Sequence, residues 1–147
     1  MSEEWKHASW VSSLGKWAWV IIIINGILGI IVNIVLIAEI VAIYANLPGV
    51  SPPIFWNVWG IIWAILIIIV AFAIIRPNFS EKCAAKDWDS LYNWFLNVGD
   101  IKIPWMLIWG IIIEGFGWYW WGGLPILIPA LVLIFAGPKP YEWKAEA

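Results

Sequence analysis

Glu39 and Glu114 are the only residues of charged type inside the long apolar runs of this 147-residue chain. A carboxylate in such a run costs about 2.5–3.5 kcal/mol on insertion unless it is protonated, paired or facing water. Each lies six or seven residues before the far end of its run, and the two runs point the same way. The acids are therefore expected to share a depth and to meet. Two neighbouring carboxylates resist joint ionisation, so one keeps its proton, and such a pair exchanges protons or binds a cation. The plainer expectation is polar glue, with protonated Glu and neutral Asn hydrogen-bonding between helices or to a partner subunit.

The surroundings of the acids fit either chemistry. On a helical wheel Glu39 shares a polar and small face with Asn25, Gly26, Gly29 and Asn33, while Gly110 and Gly117 flank Glu114. A third stripe carries Asn57, Gly60, Ala64 and Ala71, with a small-xxx-small pair at Gly60 and Ala64. Close helix approach along these stripes is expected.

Other chemistries have little to work with. His7 and Cys83 are the only strong nitrogen and sulfur ligands, too few for a zinc site of three or four donors, so no metal and no cofactor is expected. A single cysteine forms no intrachain disulfide, and Cys83 reads as packing rather than as an acylation site. No Walker, HExxH or nucleophile-elbow pattern is present, and Gly115 and Gly117 do not complete a dinucleotide fingerprint. Asn78-Phe79-Ser80 matches a glycosylation sequon but falls on the side assigned below to the cytoplasm.

The elements that must position Glu39 and Glu114 follow from composition. Apolar residues make up 63% of the chain and charged residues 12%, and the formal net charge is −2. Soluble domains carry roughly 25% charged residues, so lipid is the expected solvent, and the absence of a basic cluster argues against nucleic acid. The fold class expected is an all-α integral membrane protein, one membrane domain over residues 1–147. Four transmembrane helices are predicted at about 17–45, 54–75, 105–121 and 124–136. The first holds seventeen Ile, Val and Leu between Val20 and Ile43, enough to carry its polar residues into the bilayer. It is too long for a signal-peptide core and is expected to remain in the mature protein. Pro48, Gly49, Pro52 and Pro53 separate it from the second, which ends at Arg76-Pro77. The last is short, contains Pro129, and is open to being re-entrant.

Between the second and third spans, Ser80 to Gly99 shows helical periodicity. Ala84, Trp88, Leu91, Phe95 and Val98 share one face, and Lys82, Lys86, Asp89, Asn93 and Asn97 lie opposite. This predicts an amphipathic interfacial helix at about 81–98, capped by Ser80 and closed by Gly99. Four crossings place all eight basic residues, Lys6, Lys16, Arg76, Lys82, Lys86, Lys102, Lys139 and Lys144, on one side. The positive-inside rule makes that side, with both termini, cytoplasmic, in a multi-pass cell-membrane protein. A re-entrant last segment keeps the same sidedness. Most of the fifteen tryptophans fall near one boundary or the other, with Trp118, Trp120 and Trp121 assigned to the outer one.

Pro48-Gly-Val-Ser-Pro52-Pro53, followed by a tryptophan-rich helix, resembles the start of the second helix in the tryptophan-rich sensory (translocator) family. That resemblance would imply tetrapyrrole or sterol binding. It covers only a short stretch, its aromatic spacing is shifted and the family's five-helix plan is not met, so the chain is not assigned to it. The function expected is a small non-catalytic accessory or structural subunit of a larger membrane complex, its partners the lipid bilayer and other membrane subunits or further copies of itself. The alternative is a small proton- or cation-coupled transporter or channel built around Glu39 and Glu114. Lys in preference to Arg and abundant Ile point to a prokaryotic source.

Overall fold

The computed structural model describes residues 4–145. Helix α1 runs from Ala8 to Tyr44 and α2 covers Phe55–Ala84, with mean hydropathies of 2.9 and 3.0 in their most apolar windows. Both are long and apolar enough to cross a membrane. They pack as an antiparallel pair, Gly15 against Cys83 near one end and Gly60 against Asn33 towards the other.

Arg76-Pro77 does not end α2, as the sequence suggested. Proline has no N–H and its ring crowds the preceding turn, which normally kinks or stops a helix. Here Ala71–Ser80 adopts wider, π-type turns, and the helix continues to Ala84. Widening by one residue per turn accommodates the ring without ending the element. Ser80, expected as a helix cap, is instead a buried residue in mid-helix.

The amphipathic helix expected over 81–98 is absent. Lys86 takes a left-handed conformation (φ 54°) that stops α2. Asp87 then caps a new short helix, α3 (Trp88–Tyr92), its carboxylate accepting from the backbone N–H and hydroxyl of Ser90 at 3.2 and 2.6 Å. Those bonds hold the Asp87 carboxyl below the usual range. Strands β1 (Phe95–Val98) and β2 (Ile101–Pro104) follow as an antiparallel hairpin, so the fold is mostly but not wholly helical. Their two-residue loop begins at Gly99 with φ 62°, the conformation a II′ hairpin turn needs at that position. The C-terminal segment returns along β2, with Lys102 N–H donating to Trp143 O at 2.7 Å and Ala145 N–H to Asp100 O at 2.9 Å.

Two shorter apolar helices complete the chain, α4 (Trp105–Phe116) and α5 (Leu124–Ala136), joined by a turn that includes one 3₁₀ turn at Trp118–Trp120. Their open end lies beside the start of α1: Trp5 Nε1 donates to Ala136 O at 2.8 Å, and Tyr92 OH to Leu133 O at 2.7 Å. The core runs from this end up to the turn, with Val11, Ile22, Ile75, Phe79, Met106, Ile126 and Leu133 fully buried. Beyond it α1 and α2 continue as a bare pair, with Ile34, Val35, Ile43, Phe55 and Trp56 exposed.

Candidate functional site

The polar residues of the apolar helices gather where the α4–α5 turn meets α1. Asn25 is fully buried and bonds one residue twice: its Nδ2 donates to Trp118 O at 2.9 Å, and its Oδ1 accepts from Trp118 N–H at 3.0 Å. A side-chain amide carries both a donor and an acceptor, so it can do both at once. Gly117 and Gly122 lie against it, and a Cβ at Gly122 would stand 2.8 Å from Asn25 Oδ1. Gly29 packs on Trp118, and Phe116 stacks on Trp63 of α2 with ring centroids 4.1 Å apart.

One level further along, Asn33 Nδ2 donates to Gly29 O at 2.7 Å, and Asn57 Nδ2 donates to Asn33 Oδ1 at 3.2 Å. A Cβ at Gly60 would stand 2.9 Å from the Asn33 amide. Gly26 faces Ile68 and the Ala64 carbonyl, while Gly110 packs within the short hairpin against Leu127. A cavity of about 160 Å³ remains between these surfaces, lined by Asn25, Gly26, Gly29, Asn33, Gly60, Ala64 and Gly117 among others.

Glu39 and Glu114 are not brought together. The Glu114 carboxylate accepts from Gly123 N–H at 3.0 Å, satisfying a backbone donor at the start of α5. The turn following it reaches only the level of Asn25 and Gly29. Glu39 is exposed and lies fourteen residues beyond Asn25, about 21 Å along the α1 axis. The expected common depth assumed a third helix reaching residue 121, whereas α4 ends at Phe116 and the chain turns back. Trp118, Trp120 and Trp121, assigned from the sequence to the outer boundary, belong to this turn halfway along α1.

What the arrangement does chemically is satisfy backbone. Trp118 N–H and C=O go to Asn25, Gly117 N–H to Ile113 O, Trp120 N–H to Gly117 O, and Gly123 N–H to Glu114. Among the described residues no group of three or more His, Cys, Asp or Glu is placed to hold a metal ion. Sequence reasoning missed Trp118 and the Trp63–Phe116 stack. The one available signal was Gly117-Trp-Tyr-Trp-Trp-Gly122-Gly123, glycines bracketing a non-helical turn. No protein-family model, no curated protein and no solved structure matches the chain.

Proposed function

We propose that the chain is a non-catalytic structural subunit of a larger membrane complex, crossing the bilayer with α1 and α2 and inserting α4–α5 from the cytoplasmic side as a re-entrant hairpin. The hairpin's length supports this in place of four full crossings. Its helices have 12 and 13 residues, about 18 and 20 Å, against a hydrocarbon core of roughly 30 Å. Non-helical backbone at membrane depth is tolerated only where protein buries it or water reaches it. Asn25 meets that requirement for Trp118. Sidedness agrees: Lys86 pairs with Glu4, Lys139 with Asp89, and Arg76 lies over Trp19, all at the end where α1 begins and α5 finishes. The positive-inside rule makes that end cytoplasmic.

The observation that carries the subunit reading is the bare far half of α1–α2. Starting from Trp19, where Arg76 marks the inner boundary, twenty residues of upright helix fill about 30 Å and reach Glu39. Glu39 then stands at the outer boundary, where a carboxylate is readily solvated. Ile43, Leu47 and Val50 lie beyond it, all exposed, while exposed Phe55 and Trp56 sit near or just short of its level, since Asn57 pairs with Asn33. Exposed apolar side chains beyond the bilayer are the surface that a protein contact covers. A transporter built on Glu39 and Glu114 is the weaker reading, because the two acids do not meet and Glu114 already serves Gly123.

Photo-crosslinking in native membranes, followed by purification in mild detergent, tests the proposal. A benzoylphenylalanine at Ile43 or Trp56 is expected to give a discrete adduct with another membrane protein, and the same protein should co-elute with the unmodified chain. A monodisperse lone chain with no adduct at either position contradicts it.

A further inference from the structure

A second pocket, of about 130 Å³, lies at the charged end between α3, the β-hairpin and the returning C-terminal segment. Tyr92, Phe95 and Tyr141 form aromatic walls, and Lys102, Lys139 and Glu142 supply charge. The walls are fixed by their own bonds, Tyr92 OH to Leu133 O at 2.7 Å and Tyr141 OH to Lys102 O at 3.2 Å. Burial pushes both phenols up to about 12, so neither becomes an anion near neutral pH.

The pocket carries charges of both signs. Lys139 Nζ is paired with Asp89 and lies 5.3 Å from the centre of the Tyr92 ring. Lys102 Nζ lies 4.9 Å from the centre of the Phe95 ring and, among the described residues, has no carboxylate partner. Glu142 is likewise exposed and makes no ion pair among the described residues. Among the described residues, one unpaired ammonium and one unpaired carboxylate therefore share a pocket of mixed lining. A simple anion would meet Lys102 but also Glu142. A zwitterion with a phosphodiester beside a primary ammonium complements both. The pocket also sits among Trp94, Trp105 and Trp143: Trp105 N–H donates to Trp94 O at 2.9 Å, and the Trp143 ring stands 4.9 Å from that of Tyr141. Tryptophan favours the headgroup level of a bilayer.

We propose that this pocket binds a phosphoethanolamine headgroup, its phosphodiester on Lys102 and its ammonium on Glu142. The lipid source of that headgroup rests on the membrane placement proposed above, whereas the charge complementarity does not. The test is native mass spectrometry of the full chain, delipidated in detergent and titrated with dioleoyl-phosphatidylethanolamine, dioleoyl-phosphatidylglycerol or soluble glycerophosphoethanolamine. The ethanolamine lipid is expected to bind at least tenfold more tightly than the glycerol lipid. Lys102→Gln should weaken it about tenfold, and Glu142→Gln should erase the preference between the two lipids. Binding of the soluble headgroup as tightly as the lipid supports the same site while assigning it to a free ligand, and leaves the membrane reading to stand or fall separately. Equal affinity for the two lipids in the native chain, or ethanolamine binding unchanged by Lys102→Gln, overturns the proposal.

Discussion

Asn25 holds both polar atoms of the Trp118 backbone, and an aspartate in its place tests each half of that bond separately. In Asn25→Asp the introduced carboxylate, when ionised, accepts from Trp118 N–H but leaves the Trp118 carbonyl unpaired. Protonated, it donates as well. Burial disfavours the charged form, so the folded site favours the protonated carboxyl, which serves both backbone groups. The variant therefore binds more protons when folded and gains stability as pH falls. Asn25→Leu strands both backbone groups and is expected to cost on the order of 2–6 kcal/mol at every pH, at about 1–3 kcal/mol for each group. Thermal unfolding in detergent at pH 5 and pH 8 distinguishes them: relative to the unsubstituted chain, the aspartate variant should recover stability at pH 5, and the leucine variant should show the same deficit at both. Glu114 belongs to the same logic. Glu114→Gln keeps an acceptor for Gly123 N–H and should leave the fold intact, whereas Glu114→Ala is expected to cost about 1–3 kcal/mol. Loss of folding in the glutamine variant would show that the carboxylate's charge, and not its acceptor, is required.

Which elements were legible in advance followed from how local their causes are. The face of Asn25, Gly26, Gly29 and Asn33 is visible from the helical period alone, because α1 is one uninterrupted helix. What that face meets is not visible, since the turn opposite it arrives from a distant part of the chain. Ser80 to Gly99 misled for the opposite reason. Its apolar spacing fits a helix, but Asp87-x-x-Ser90 and Gly99-Asp100 are a cap and a hairpin turn that divide the segment. The Arg76-Pro77 stop signal was overridden because Phe79 and Cys83 beyond it are buried in the core. The α4–α5 turn carries its own test. Tyr119 and Trp120 have φ of 51° and 55° and are exposed, a conformation that costs a side-chain-bearing residue about 1–2 kcal/mol. Trp120→Gly should leave thermal stability unchanged or raise it by up to about 1 kcal/mol. A loss of more than that would mean the Trp120 ring makes contacts its exposure does not suggest.

The molecule as a whole divides into a packed, basic end and a bare apolar pair of helices. Eight basic residues at one end were readable from the sequence, but they fit four crossings and a re-entrant hairpin equally well. The length of α4 and α5 and the position of their turn against Asn25 are what favour the re-entrant arrangement in the function proposed above. Gly122 is a poor place for a probe, because a side chain there collides with Asn25. Tyr119 is a good one, being 78% exposed on the turn itself. The direct measurement is therefore labelling of Tyr119→Cys and Ser51→Cys, in a Cys83→Ala background in intact cells, with a membrane-impermeant maleimide added from outside. A half-depth hairpin predicts rapid labelling at position 51, in the loop between α1 and α2, and none at position 119 until the membrane is dissolved. Labelling at 119 as fast as at 51 would place the turn in the outer solvent and contradict the re-entrant account.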